Sequence, residues 1–292
     1  MKNLYTNEIL FYVIFNLSMK ENKIHQKVVL RYLILVLIIS SILANSIIIF
    51  SDSFNKHSST LLVLNITAAF ASSLGVIAVY RHGFHGPHGK SYLFLTLGLI
   101  SWFSADMTLA YYYFALGIEE QIRASITDFL WFAGYVFLTI HVLTILRLVQ
   151  GRISWISIMA VSLAATLIIG YTLIRIISSY SQFLIADDFT AFLVTLIYPM
   201  LDLILIMPSI LVLVNIRKDI LQFIPWFLSS LSLLVNAIAD EGYVNDFLNG
   251  HLHNLLFWDM FYVTDFIIMA GALFWYNKFH ILHEPSKTRL VG

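Results

Sequence analysis

The sequence of 292 residues contains no cysteine and little charge. The absence of cysteine excludes disulfide bonds, cysteine-ligated zinc, iron–sulfur clusters and thiol catalysis. Charged residues make up 12% of the chain, about half of the roughly 25% that is typical of soluble domains. The 17 Lys and Arg residues balance the 17 Asp and Glu residues, so the chain lacks the basic field of a nucleic-acid-binding protein. We therefore expect no nucleic-acid partner.

Long apolar runs take the place of charge. Hydrophobic residues make up 59% of the chain, and a helix that spans a bilayer needs about 20 mainly apolar residues. Eight runs meet this length: 30–50, 60–80, 91–114, 126–149, 153–177, 188–214, 223–246 and 255–279. Backbone groups in lipid must be satisfied within their own segment, so these runs are helices. The sequence predicts an all-α polytopic integral membrane protein with eight transmembrane helices in a lipid bilayer.

The predicted domains follow from these runs. Residues 28–279 form the eight-helix transmembrane domain, and residues 280–292 form a basic cytoplasmic tail. Residues 1–27 form a short N-terminal segment whose apolar run, 9–19, is too short to span a membrane. Three interpretations stay open for it: an interfacial helix, a signal-like segment, or an artefact of start-site choice with Met19 as the genuine start.

The distribution of basic residues predicts the orientation. Cytoplasmic loops of membrane proteins carry an excess of Lys and Arg. Of the 17 Lys and Arg residues, all but Lys56, Arg123 and Arg175 fall on one side of the eight-span topology. We therefore expect a multi-pass protein of the cell membrane with both termini in the cytoplasm. Few acidic residues fall on that cytoplasmic side: Glu8, Glu21, Asp219 and Glu284.

The third and seventh spans share a pattern that indicates an internal repeat. Asp106 and Asp240 each follow an alanine, and each is followed by tyrosines. The helix after each span carries an early acidic residue near aromatic residues, Asp128 in the fourth span and Asp259 in the last. Both copies run in the same direction through the membrane. The chain is predicted to form two parallel four-helix repeats related by an axis along the membrane normal.

Acidic residues deep in the predicted spans are the main candidates for a functional site. A charge at the bilayer centre costs about 2.5–3.5 kcal/mol on insertion scales, so such residues are functional candidates by default. They are Asp106, Asp202, Asp240, Asp259 and Asp265. They can be neutral hydrogen-bonding groups that fix helix packing. They can instead line an outward-facing polar cavity that binds a proton or a cationic ligand.

Two further features of the spans have local explanations. The spacing from Ser125 to Asp128 fits a capping box at the start of the fourth span. Pro199 and Pro208 each remove a helical hydrogen bond and are expected to kink the sixth span.

The histidines give weaker signals. His251 and His253 lie in the last outer loop, where an imidazole can titrate near neutral pH, and they join the ligand- and proton-binding candidates. His82, His85 and His88 recur at spacing three in a cytoplasmic turn next to basic residues, so we expect no metal site there. His141 is expected to be a packing residue.

Signatures of enzymes and cofactors are absent from the sequence. It contains no phosphate-binding Gly-rich loop, no His-Glu-x-x-His pair and no Gly-x-Ser-x-Gly elbow. Lys278 lies at the cytoplasmic end of the last span, which is too shallow for a retinal Schiff base. We therefore predict no catalytic residue, no metal and no cofactor.

Several short motifs resemble those of a known family. YPMLDLIL at 198–205 resembles the "YP-x-x-D-x-x-L" element of multi-helix membrane input domains, which precede histidine kinase, diguanylate cyclase and PAS modules in bacteria and archaea. WFSAD at 102–106 and ITDFLWFAGY at 126–135 are similar to a second element of these domains, and AD at 239–240 with WD at 258–259 looks like its second copy. The resemblance extends from about Leu30 to Phe279.

The resemblance implies a sensory role. In that family the membrane part is thought to sense a signal in or outside the membrane and pass it to a fused cytoplasmic output domain. Here 13 residues follow Phe279 in the sequence, without a kinase, cyclase or PAS module. We therefore expect a stand-alone sensory or signalling input module that acts on a separate cytoplasmic partner.

Two other functions stay open. The repeat and the deep acids equally suit a small secondary transporter or a proton or cation carrier. An intramembrane hydrolase would need Asp240 and Asp246 to converge with His251 and His253, and it ranks last.

An even number of spans predicts that both ends of the chain lie on the same side of the membrane. A reporter that is active only in the cytoplasm should give equal signals when fused to either end. The same reporter inserted directly after Asp52, in the first outer loop, should be inactive. Reporters at the two ends that differ in activity would contradict the span count.

Overall fold

The chain is helical in a computed structural model, which describes residues 2–52, 56–83, 85–118, 125–149, 154–179, 189–215, 220–249 and 255–280. These ranges contain eight α-helices: α1 (Lys2–Phe50), α2 (Lys56–His82), α3 (Gly86–Leu116), α4 (Ile126–Val149), α5 (Trp155–Ser178), α6 (Phe189–Asn215), α7 (Ile220–Leu248) and α8 (Leu255–Trp275). A short π-helical turn, Tyr276–His280, continues α8. The prediction of an all-α fold is confirmed.

Every one of these helices contains a stretch long and apolar enough to cross a membrane. Within the described ranges these stretches are Ile24–Phe50, Lys56–Arg81, Gly86–Leu116, Ile126–Leu148, Trp155–Ser178, Phe192–Val214, Phe223–Asp246 and Phe257–Phe279. They confirm the eight spans, with shifts of a few residues at the ends. The fifth helix, for example, begins at Trp155 because the Ser154 side chain caps it, accepting a 3.1 Å hydrogen bond from the backbone N–H of Ser157.

Backbone contacts divide the chain into two compact units, Met1–Ser40 and Ser41–Gly292. The first is the N-terminal part of α1, so residues 2–27 belong to one helix that runs without a break to Phe50. The second unit contains the other seven helices. The predicted basic tail, 280–292, lies outside the described residues except for its first position.

Six helices of the second unit form a closed cycle of contacts. Going around the cycle, α2 packs on α3, α3 on α4, α4 on α6, α6 on α7, α7 on α8, and α8 on α2. Helix α5 packs outside the cycle, on α6 and α7. The two runs of three helices, α2–α4 and α6–α8, thus meet at two places around the cycle, where α4 contacts α6 and α8 contacts α2.

Polar side chains are buried in this fold and large apolar ones are exposed. Asp106, Asp202, Asp265 and His141 are all buried, whereas apolar residues such as Ile156 on α5 are largely exposed. In water, apolar groups are driven inside and unpaired carboxyls stay outside. Apolar residues thus cover the outer surface as well as the core, while carboxyls are held inside, as in a bundle whose outer surface faces lipid.

Glycines let neighbouring helices approach closely in both halves. A Cβ added at Gly134 of α4 would lie 2.2 Å from Cδ1 of Trp102 on α3. A Cβ added at Gly242 of α7 would lie 2.3 Å from Cη2 of Trp258 on α8. The Trp102 indole cannot swing away freely, because its Nε1–H donates a 3.1 Å hydrogen bond to the Trp131 carbonyl. Each tryptophan thus occupies the space that the facing glycine leaves open.

Filling this space should destabilise the protein. We expect Gly134→Ala to lower the free energy of unfolding by about 1–3 kcal/mol, the usual cost of overpacking, and to lower the thermal unfolding midpoint in detergent. Gly170→Ala on α5 is the matched control, since no atom lies within 4 Å of its added Cβ. Equal midpoints for the two variants would contradict the tight contact.

Candidate functional site

The predicted acidic residues lie on four helices of the cycle. Asp106 on α3, Asp202 on α6 and Asp265 on α8 are 4%, 0% and 1% exposed. Asp240 on α7 and Asp259 on α8 are partly buried. The remaining two candidates, His251 and His253, lie outside the described residues.

Tyr135 of α4 brings two of these acids together. Its hydroxyl lies 2.8 Å from Oδ1 of Asp202 and also makes a hydrogen bond with Oδ2 of Asp240. On the other side of Asp240, the Tyr262 hydroxyl of α8 donates a 2.5 Å hydrogen bond to Oδ1. We call these four residues the Tyr135 cluster. It links α4 in the first half of the chain to α6, α7 and α8 in the second half.

Two more acids lie around the Tyr135 cluster. Asp265 accepts a hydrogen bond from the Ser232 hydroxyl of α7 and interacts electrostatically with Asp240 and Asp106. Asp106 accepts a 3.3 Å hydrogen bond from the indole N–H of Trp131. Four of the five predicted acids, Asp106, Asp202, Asp240 and Asp265, therefore form a single interacting group.

Asp259 has a more peripheral position. It lies in the second turn of α8 and interacts electrostatically with Tyr262 of the cluster.

Equivalent hydrogen bonds appear in the two halves. The donor to Asp106 is Trp131, three residues after Asp128, and the donor to Asp240 is Tyr262, three residues after Asp259. The alignment predicted from the sequence thus pairs residues that play the same structural part. This agreement supports a repeat of structure as well as of composition.

The same alignment locates a difference between the halves. Six residues after Asp128 comes Gly134, whereas six residues after Asp259 comes Asp265. Eight residues before Asp106 comes Gly98, whereas eight before Asp240 comes Ser232. A Cβ at Gly98 would lie 3.3 Å from the Gly134 carbonyl oxygen, so the first pair is a close backbone contact. In the second half, Ser232 and Asp265 have the positions of Gly98 and Gly134, and the two side chains are joined by a hydrogen bond.

The tyrosine and aspartate of the YPMLD motif both contact α4. The Tyr198 hydroxyl donates a 2.9 Å hydrogen bond to Asp128, and Asp202, one turn further along α6, binds Tyr135. Asp128 also accepts a 2.8 Å hydrogen bond from the backbone N–H of Ser125. The predicted cap at Asp128 is confirmed, and the same carboxyl also joins α4 to α6.

The two prolines of α6 lie on either side of Asp202. The helix continues from Phe189 to Asn215 through Pro199 and Pro208. Each proline lacks the N–H that would bond the carbonyl four residues earlier. Helical hydrogen bonding is therefore interrupted both before and after the fully buried carboxyl.

His141 and His88 lie toward the opposite end of α4 from Asp128. His141 is fully buried, and its Nδ1 lies 2.9 Å from both the hydroxyl and the carbonyl oxygen of Ser91 on α3. This is the packing role expected for it. The His88 ring stacks on the Trp226 ring, with the two ring centroids 5.6 Å apart.

Sequence reasoning missed the residues that connect the acids. Tyr135, Tyr262 and Ser232 were not among the predicted site residues. A helical signal was present, because Tyr262 follows Asp259 by three residues and Tyr135 follows Asp128 by seven, spacings that place each pair on one helix face. Spacing along one helix gives no indication of which residues of other helices bind these tyrosines.

Comparisons with known proteins give no relative for this chain. No family model, no curated protein and no solved structure matches it.

The hydrogen bond from Tyr262 to Asp240 should contribute to the stability of the protein. Tyr262→Phe deletes the donor to Asp240 and keeps the ring, so we expect it to lower the free energy of unfolding by about 1.5–3 kcal/mol, the usual range for bonds to charged groups. Tyr171→Phe is the control, since Tyr171 is 61% exposed on the outer face of α5. Thermal unfolding in detergent would measure both variants. A Tyr262→Phe midpoint equal to that of the control would contradict the bond.

Proposed function

We propose that this multi-pass membrane protein is a sensory-type module in which the Tyr135 cluster binds a proton or a cationic ligand. Binding changes the packing between the two halves of the helix cycle, and the change passes to a separate cytoplasmic partner. The observation that carries the proposal is the pair of hydrogen bonds from Tyr135 to Asp202 and Asp240. They place the acids where the two halves meet.

The charge balance of the site supports a positively charged ligand. The strongest electrostatic interactions of Asp202 are with Asp240 and Glu241. The basic residue of the neighbouring outer helix, Arg175, instead donates hydrogen bonds to Asn245 and Asn249 near the end of α7. A cluster of carboxyls in a low-dielectric interior attracts protons or cations strongly.

The sequence supports two features of this proposal, the sensory role and the cytoplasmic partner. The YPMLD motif and its companions resemble those of sensory input domains. The excess of Lys and Arg on one side predicts a cytoplasmic location for both termini and for the loops that would contact the partner.

The absence of cysteine permits a direct test of coupling between the halves. Spin labels can be attached through Lys90→Cys on α3 and Lys278→Cys after α8, both of which are exposed. We expect the label-to-label distance to change between acidic and neutral pH in nanodiscs. Asp202→Asn should abolish the change, because it removes one of the two carboxyls that hold the protons of the site. Asp52→Asn, at an exposed carboxyl before α2, should preserve it.

Distances that stay constant with pH and with organic cations would contradict the sensory proposal. So would a pH response that persists in Asp202→Asn. A response lost in both the Asp202 and the Asp52 variants would assign the effect to general charge rather than to the cluster.

A second candidate, a proton or cation carrier, has its own support in α6. The prolines on either side of Asp202 each remove a backbone hydrogen bond from a helix that continues across the span. Ion-binding sites of transporters commonly lie near the middle of the membrane, at helices whose backbone hydrogen bonding is incomplete. Ion flux into liposomes that Asp202→Asn abolishes and Asp52→Asn leaves intact would support the carrier. Absence of flux with a pH-dependent distance change would favour the sensor.

A further inference from the structure

Hydrogen counting at Tyr135 identifies the ligand of the cluster more narrowly. A tyrosine hydroxyl carries a single hydrogen and can donate it once. The Tyr135 hydroxyl nevertheless makes hydrogen bonds to oxygens of two carboxyls, Asp202 and Asp240. One of the two bonds must therefore use a hydrogen that belongs to a carboxyl group.

The second oxygens of the two carboxyls indicate which one carries this hydrogen. Asp240 accepts another hydrogen bond from Tyr262 at Oδ1, so both of its oxygens are bonded. Asp202 is fully buried, and its Oδ2 accepts no hydrogen bond from a hydroxyl, amide or indole donor of the described helices, although the Asp202 and Asp240 carboxyls also interact directly with each other. An ionised carboxylate requires donors at its oxygens, whereas a neutral acid tolerates an unbonded carbonyl oxygen far better. The hydrogen thus belongs to Asp202.

Two buried amide side chains near the acids also have an oxygen that accepts no hydrogen bond from the described helices. Asn65 and Asn236 are buried on α2 and α7, next to Asp106 and Asp265 respectively. The Oδ1 atom of each makes no hydrogen bond in the described part of the chain. Both are acceptors, as is Asp202 Oδ2.

The bonded geometry leaves no room for a larger ion between these oxygens. Tyr135 is 2% exposed and its hydroxyl is in direct contact with both carboxyls. A metal or organic cation would have to separate the oxygens that are now hydrogen-bonded. A proton occupies the existing contact without moving any heavy atom.

We propose that Asp202 and Asp240 share one proton and that Tyr135 relays it between them. In the starting state the Asp202 O–H donates to the Tyr135 oxygen, and the Tyr135 O–H donates to ionised Asp240. When the Asp202 hydrogen moves to the tyrosine oxygen, the original tyrosine hydrogen moves to Asp240. One O–H bond breaks and one forms at Tyr135, so the total charge of the pair stays at minus one. This inference rests on the proposed function and names its ligand.

Other titratable groups around the pair set its environment. By element they are Asp106 of α3, Asp128 of α4, Tyr198 of α6, Glu241 and Tyr243 of α7, and Asp259, Tyr262 and Asp265 of α8. Glu241 accepts a hydrogen bond from Thr172 of α5. The group is acidic or phenolic throughout, which favours keeping one proton on the pair.

Infrared spectroscopy of the full chain in detergent can detect the shared proton. A protonated carboxyl has a C=O stretching band that moves on exchange into heavy water. We expect such absorption in the wild type at neutral pH and the loss of one component of it in the difference spectrum between the wild type and Asp202→Asn, while Asp52→Asn leaves the spectrum unchanged. The Asp202→Asn amide can still donate to Tyr135, so the variant should fold.

Tyr135→Phe provides a second measurement should the first variant fail to fold. The ring keeps its edge contact with Trp102, and the acid loses the hydroxyl that accepts its hydrogen. We therefore expect the carboxyl band to shift to higher frequency.

Two outcomes would overturn the inference. One is a wild-type spectrum with no band that responds to either substitution. The other is a band that disappears when sodium or potassium chloride replaces choline chloride at constant pH, since this would identify a metal cation as the ligand. Because the measurement needs no partner and no ion gradient, a positive result stands even if the sensory proposal fails.

Discussion

A carboxyl group inside a membrane-spanning bundle must have hydrogen-bond donors, because lipid and protein interior offer it no bulk water. The six-helix cycle meets this requirement with hydroxyl and indole groups rather than with Lys or Arg side chains. Tyr135 and Tyr262 hydrogen-bond to Asp240, Ser232 donates to Asp265, and Trp131 donates to Asp106. Neutral donors leave the charge of the acids uncompensated, so protonation remains the means of balancing it.

The two halves of the chain share one arrangement of polar groups. Each pairs a helical aspartate with an aromatic donor on the next helix. They differ where Gly98 and Gly134 of the first half are replaced by Ser232 and Asp265 in the second. At these positions the first half therefore has a close backbone contact, whereas the second half has a pair of polar side chains. The acids gather on the polar side, and Tyr135 reaches them from the packed side.

Helix α6 connects these features. Its motif tyrosine and aspartate contact α4 at Asp128 and Tyr135, which are two helical turns apart. Its prolines interrupt the backbone hydrogen bonds before and after Asp202. A change of protonation at Asp202 therefore acts on a helix that is weakened near that residue and bound to the other half at two points. Protonation of Asp202 can in this way change how α6 packs against α4.

The amino-acid sequence by itself determined the membrane class, the eight spans and the choice of deep acids. Length and polarity of a span are local properties, and lipid penalises a buried carboxyl such as Asp202 wherever its helix packs. The partners were decided by tertiary structure alone. Tyr135, Asp202 and Asp240 come from three helices, and no periodicity within one helix specifies which faces of its neighbours will meet it. The hydrogen count at the Tyr135 hydroxyl, on which the assignment of a proton depends, exists only once those faces are in contact.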